Sequence, residues 1–433
     1  MNDITRLVYL GIILCFCSCA SINKKEITRE LISVEKEFHN HTGFVLYDPE
    51  EDKTIISYQG NQYFTPASNT KIPTLYLSLH VLPDSLPGIY YVEKGDSLIF
   101  WGTGDPSFLN ERLPESQIYE FLKDSGKKLF FSGDNFYDDH FGSGWAWDDY
   151  AYTFSSEKSP FTIYGNNIRV NKGRNQSYLQ VEQPYFKRFF WLADSSNRSE
   201  QIERDYNSNS FVYYPPTAPK FIKEEIPFKY SDYVFTQALA DTLNKPVRLL
   251  KMALPKDYET KYSIVSDSAY RVMMQQSDNF IAEQLLLTCA GVLTDSLKSE
   301  NGVLYGQNEL FKDAPDSMVW VDGSGLSRYN LFTPASLVWI WSQLYKEIPH
   351  ERLYSLLPAG GQPGTLRRYY KAEEPYLFGK TGTLSNNHNL SGFLKTKKGK
   401  VYIFAFMNNN YPEKSGPVKR RMEKILQDIY LNN

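Results

Sequence analysis

Apolar positions along the chain change spacing from segment to segment. Ile27, Leu31, Val34 and Phe38 recur at three- and four-residue spacing, which predicts a helix over Lys24–Phe38. Gly43–Tyr47 and Thr54–Tyr58 read as strands joined by the turn Asp48-Pro49-Glu50-Glu51-Asp52, and Lys71–Val81 reads as a helix. Between about residue 90 and 260, short aromatic-rich strands alternate with Gly, Asp and Asn turns. Ser116–Gly126 and Asp232–Leu243 are the helices of that stretch. Apolar helices return at Ser266–Met274 and Asn279–Ala290, and the end reads strand, strand, helix: Phe393–Thr396, Val401–Asn408, Val418–Ile429. A helix, a hairpin, a large middle, then helices and a closing strand pair is an α+β pattern. The middle is expected to be an insertion between two halves of one domain.

The N-terminus departs from this pattern. Leu7–Cys19 is an apolar run after Arg6. It is shorter than the roughly 20 residues a membrane-spanning helix needs, and has the length of a signal-peptide core. It ends Phe16-Cys17-Ser18-Cys19-Ala20-Ser21. A small residue directly before a cysteine at the end of such a core resembles a bacterial lipoprotein signal, although Phe16 stands where leucine is usual. Residues 1–19 are therefore expected to be a signal segment, with Cys19 the lipid-bearing first residue of an exported, periplasmic, membrane-tethered chain. An ordinary signal peptide or an uncleaved anchor is the alternative.

Composition narrows the remainder. Of 433 residues, 42% are hydrophobic and 22% charged, as in a soluble globular protein. Lys plus Arg is 47 against Asp plus Glu 50, a net charge of −3 that offers no footprint for nucleic acid. Tyr 32, Phe 27 and Trp 7 suit sheets and large cores. His39, His41, His80, His140, His350 and His388 show no metal-ligand spacing, so no metal and no cofactor is expected. Beyond the N-terminal segment Cys289 stands alone, which leaves no intramolecular disulfide, and its apolar run Leu285–Leu293 places it in the core.

Exported enzymes without a metal often use a serine nucleophile, which needs a base. No Gly-x-Ser-x-Gly elbow is present. Ser-x-x-Lys supplies an alternative, because positions i and i+3 share a helix face. It occurs at least three times, among them at Ser33/Lys36, Ser68/Lys71 and Ser155/Lys158. Ser68 follows Pro66-Ala67 after a strand and opens an apolar helix, at the positive end of its dipole. Ser33 lies in an amphipathic helix and Ser155 in a polar loop, where a plain surface role is expected. Ser277-Asp278-Asn279, between two helices, places a hydroxyl and an amide together. Lys380-Thr381-Gly382-Thr383, before a closing strand, offers an ammonium, two hydroxyls and a glycine that permits close approach. In this order the three motifs are the signature of penicillin-binding proteins and serine β-lactamases.

The chain resembles more specifically the D-alanyl-D-alanine carboxypeptidase/endopeptidase family, the class C low-molecular-mass penicillin-binding proteins (peptidase family S13). The resemblance rests on Pro66–Lys71, Gly104–Pro106, Gly144–Asp149, Asp322–Arg328, Leu357–Gly360 with Gly364–Leu366, and Lys380–Leu384. It implies a transpeptidase/β-lactamase-like domain of antiparallel sheet and helices (24–90 and 262–433), split by an inserted domain (91–165 and 229–261). A small β-rich domain (166–228) is nested in that insertion. It also implies roles. Ser68 would be the acylated nucleophile and Lys71 its base. Ser277 would relay a proton to the leaving amine, and Asn279 would hold the substrate backbone. Lys380, Thr381 and Thr383, with Gly382 between them, would take the terminal carboxylate. The N–H groups of Ser68 and Thr383 would form the oxyanion hole. Asp149 and Arg328 would hold the ammonium and carboxylate of the stem-peptide diamino acid. Ser385 departs from relatives that carry a longer side chain there.

The activity so implied is D-alanyl-D-alanine carboxypeptidase, with cleavage of D-alanyl cross-links beside it, on peptidoglycan stem peptides. β-Lactams would be the covalent inhibitors. A β-lactamase or esterase on the same fold is one alternative, and a catalytically silent peptidoglycan-binding protein another. Trp145 and Trp147 are expected in the core, and His388 receives no role.

Overall fold

The computed structural model describes residues 22–176, 178–193, 202–215 and 220–432. The expected signal segment 1–19, and Cys19 with it, lies outside the described residues.

One sheet draws on both ends of the chain. Its five antiparallel strands run in the order Leu377–Leu384, Asn387–Lys395, Val401–Asn409, His41–Asp48, Lys53–Tyr58. The central strands are apolar on both faces because helices cover both. Phe404 and Phe406 join Phe44, Leu46 and Leu390 against helices Lys24–Phe38 and Ser415–Asn432. Ile403, Ala405 and Met407 alternate to the opposite face and pack with Ile72, Leu75, Ile281, Leu285 and Trp341. Those residues come from helices Lys71–Val81, Asn279–Thr294 and Pro334–Glu347. Lys24–Phe38 is amphipathic as predicted: Leu31, Val34 and Phe38 are buried, Asn23 caps its start, and left-handed His39 ends it. Asn279–Thr294 is apolar on nearly all sides, as a helix inside a core must be.

The middle of the chain builds a second five-stranded sheet, in the order Val247–Leu249, Lys128–Ser132, Ser97–Gly102, Ser85–Lys94, Glu259–Val265. Ile89, Leu98 and Phe100 face one core and Tyr90, Ile99 and Trp101 the other, the period-two alternation of a strand. Two small three-stranded sheets lie between residues 167 and 227. Ile168, Phe186 and Phe211 of that part share one core with Phe131 and Phe161 of the larger insertion. The seams expected at 90/91 and 261/262 fall inside Ser85–Lys94 and Glu259–Val265, which pair with each other. The chain thus passes from the helical half into the insertion along a strand pair, with no linker.

Candidate active site

Ser68 sits in the 3₁₀ turn Ala67–Thr70, immediately before helix Lys71–Val81. The turn is held at both ends. Ala67 adopts a left-handed conformation (φ 49°), which costs a non-glycine residue of order 1–3 kcal/mol and persists only where the surroundings fix it. Gly325 supplies the fixing contact: a Cβ there would lie 1.8 Å from the Ala67 carbonyl oxygen. Behind the turn, Ser391 Oγ donates to Asn69 Oδ1 (2.6 Å), and Trp341 Nε1 donates to Ser391 Oγ (2.9 Å).

Lys71 is fully buried one helical turn from the serine. Its Nζ donates to Ser68 Oγ (3.0 Å), Asn279 Oδ1 (2.6 Å) and the Ser324 carbonyl (2.7 Å). Burial lowers its pKa to about 8, against the opposing pull of Asp322, Glu283 and Asp278. Glu283, also buried, accepts from the N–H groups of Gly323 and Ser324, and burial, with Asp322 adding to it, pushes its carboxyl above the ordinary range. Asp322 gathers the rest of its loop, accepting from the N–H groups of Gly325 and Ser327 and from the Asn330 side chain.

Lys380 and Gly382 share one face of the edge strand Leu377–Leu384, and Thr381 and Thr383 the other. Lys380 Nζ donates to Ser277 Oγ and to the Thr381 carbonyl, both at 2.8 Å. Burial, and then Lys71, hold its pKa well below the lysine range. Gly382 lets the strand lie against the serine turn, since a Cβ there would meet the Pro66 carbonyl at 2.5 Å. Ser277 is left-handed (φ 61°), and Asn279 Nδ2 donates to the Phe154 carbonyl (3.0 Å). The outcome is a cleft of about 300 Å³ beside the edge strand, walled by Ser68, Ser277, Thr381, Thr383, Thr365 and Leu366, among others.

Asp149 and Arg328 also come together. Trp145 Nε1 donates to Asp322 Oδ2 (2.9 Å), and Gly144 lies against Ser327 and Tyr329, so the Gly144–Asp149 segment is docked on the Asp322–Arg328 loop. Burial and then Asp148 raise the Asp149 carboxyl, while the Arg328 guanidinium pulls it down.

A sequence model of the D-Ala-D-Ala carboxypeptidase 3 (S13) family matches residues 28–209 and 268–429. The chain belongs to this family. It is 24% identical to the D-alanyl-D-alanine carboxypeptidase DacB of Haemophilus influenzae, over 90% of this chain and 89% of that one. To the D-alanyl-D-alanine carboxypeptidase of an Actinomadura species it is 23% identical, over 87% of this chain and 78% of the other. The crystal structure of penicillin binding protein 4 (dacB) from Haemophilus influenzae shares the fold, with a TM-score of 0.75 at 21% identity, covering 94% of this chain and 99% of that one.

Several expectations for this S13 chain need correction. Lys380-Thr381-Gly382-Thr383 precedes the strand Asn387–Lys395 as expected, but it is itself part of a strand, Leu377–Leu384. Neither tryptophan is core: Trp145 is half-buried, and Trp147 is 74% exposed, in edge contact with Tyr206 at the surface. Ser155 and Lys158 are buried rather than in a surface loop, and Lys158 Nζ pairs with Asp138 (2.9 Å). Ser33 is half-buried and accepts from Arg421. His388 is a buried strand residue whose Nδ1 lies 2.8 Å from Thr383 Oγ1. Burial, then Lys419 and Lys380, lower its pKa to about 3, so it is neutral. Sequence reasoning missed Glu283, although it stands one turn after Asn279 on the same helix face. It also missed Lys419, for which no sequence signal existed.

Proposed function

We propose that this S13 protein is a serine-type D-alanyl-D-alanine carboxypeptidase of peptidoglycan stem peptides, acting through an acyl-enzyme on Ser68. The observation that carries the reading is the contact between Lys71 Nζ and Ser68 Oγ, at 3.0 Å, with the lysine's charge suppressed by burial. Neutral Lys71 takes the Ser68 proton as Oγ attacks the carbonyl of the penultimate D-alanine. The N–H groups of Ser68 and Thr383 receive the oxyanion; such a donor is typically worth about 3–4 kcal/mol. The proton then reaches the leaving amine through Ser277, which Lys380 holds in place. Asn279, hydrogen-bonded to Lys71, aligns the substrate backbone, and Thr381 and Thr383, with the charge of Lys380 behind them, take the terminal carboxylate. Water hydrolyses the ester in a second half-reaction. D-Alanyl cross-links present the same bond, and their cleavage belongs to the same reading.

The decisive experiment is Ser68→Ala, followed by intact mass after penicillin and by D-alanine release from a D-Ala-D-Ala peptide. Both signals are expected to vanish with the fold intact, since one hydroxyl adds little to stability. Labelling that persists, or that maps to Ser33 or Ser155, overturns the assignment. Rapid turnover of a chromogenic β-lactam by the wild-type protein points instead to a β-lactamase.

The reading includes export and a lipid anchor on Cys19, on the strength of the segment pattern. Cys19→Ala is expected to free the protein from membranes or leave an unprocessed precursor, since stable anchoring needs more hydrocarbon than one short chain provides. Absence of acyl label on the wild-type protein after metabolic lipid labelling removes the anchor.

A further inference from the structure

The site has a charge its proposed roles leave unused. Lys380 is fully buried, and its ammonium is bonded to Ser277 Oγ and the Thr381 carbonyl rather than standing on the cleft wall. The cation on that wall is Lys419, in the first turns of helix Ser415–Asn432, alongside Ser68, Thr381, Thr383 and His388. Lys419 is half-buried, and among the described residues no hydrogen bond or ion pair reaches its ammonium. Among the described residues no aspartate or glutamate lines the cleft. His388, which also lines the cleft, is neutral, and its ring is engaged with the Thr383 hydroxyl. An unpaired ammonium beside hydroxyls, in a cleft without carboxylates, is built for an anion.

We infer that Lys419 is a specificity-determining residue that forms the direct ion pair with the substrate's terminal carboxylate, opposite the hydroxyls of Thr381 and Thr383. The inference rests on the acyl-transfer reading above and adds to it the group that recognises a free chain end. Burial lowers the pKa of Lys419 with no carboxylate to offset it. A bound carboxylate supplies that missing partner. Lys380 contributes from behind the strand, where its first task is to hold Ser277. His388 fixes the Thr383 hydroxyl so that both polar walls of the subsite are set before substrate arrives.

The test compares acylation rates with benzylpenicillin, which carries a free carboxylate, and with its methyl ester, which does not. The proteins are wild type, Lys419→Met and Lys419→Arg. Lys419→Met is expected to slow acylation by the free acid about ten- to thirtyfold, as loss of a charged hydrogen bond does, and by the ester less than about threefold. Lys419→Arg is expected to keep most of the free-acid rate, because the charge is retained. Equal slowing with both compounds assigns Lys419 a structural role and overturns the inference, as does an unchanged free-acid rate in Lys419→Met. A wild-type protein that takes up neither compound overturns the acyl-transfer reading itself.

Discussion

A lysine asked to accept a proton must lose its own charge at working pH, and Lys71 shows how the surroundings set that balance. Full burial disfavours the ammonium, while Asp322, Glu283 and Asp278 favour it, and the outcome is a pKa of about 8. The neutral fraction therefore rises as pH rises through about 8. Acylation of Ser68 by a β-lactam is expected to accelerate over the same interval, and a stopped-flow pH profile measures it; a flat profile assigns the proton to another group. Lys71→Arg keeps the charge and cannot deprotonate in this range. Its acylation rate is expected to fall by roughly two or more orders of magnitude, the scale of general-base catalysis.

At the scale of elements, the site depends on backbone approaches that only small residues permit. Gly325 has φ 81°, and its missing Cβ leaves room for the Ala67 carbonyl. Gly325→Ala is expected to destabilise the protein by about 2 kcal/mol or more, combining left-handed strain with a steric clash. Displacement of the Ser68 turn should also slow acylation, and urea unfolding midpoints with labelling rates read both. A variant with wild-type midpoint and rate shows that the turn does not rely on this contact. The same feature explains what the sequence disclosed and what it hid. Helices such as Lys24–Phe38 and Asp232–Leu243 were legible from spacing and caps. Strand Leu377–Leu384 was not, because Gly379 and Gly382 occupy positions where an apolar residue would signal a strand. Both glycines face close backbone, Ser391 in one case and Pro66 in the other. Helix Pro334–Glu347 went unread despite its Thr333 cap and leading proline. The triad of motifs around Ser68, Ser277 and Lys380 was legible because each is local in sequence. Glu283 and Lys419 were not, since only tertiary packing gives them a place.

At the scale of the whole molecule, residues from the insertion meet residues from the second half of the helical domain. Asp149 and Arg328 are one case, and we propose that they hold the zwitterionic end of a diamino acid such as meso-diaminopimelate. Arg328→Ala and Asp149→Ala are expected to weaken cleavage of peptides bearing it by about tenfold or more, and to spare a short peptide without that side chain. Equal losses on both peptides, in steady-state kcat/KM, make these residues structural. The same long reach governs how the molecule comes into being. His41 pairs with Asn409 and Tyr47 with Ile403, so one edge of the strand beside helix Lys24–Phe38 stays open until Val401–Asn409 is made, although Lys53–Tyr58 closes its other edge early. Contacts so distant in sequence close late and slowly. The inserted sheet, complete once Glu259–Val265 has emerged, faces no such delay. A ribosome-bound or truncated chain lacking Val401–Asn409 is expected to hold a folded insertion flanked by two separate strand pairs, His41–Asp48 with Lys53–Tyr58 and Leu377–Leu384 with Asn387–Lys395, each with an open apolar edge of the kind that invites aggregation. Its Ser68 and Lys380 have no common sheet to bring them together, so reactivity toward wall peptide or penicillin is expected to begin only once Val401–Asn409 is in place.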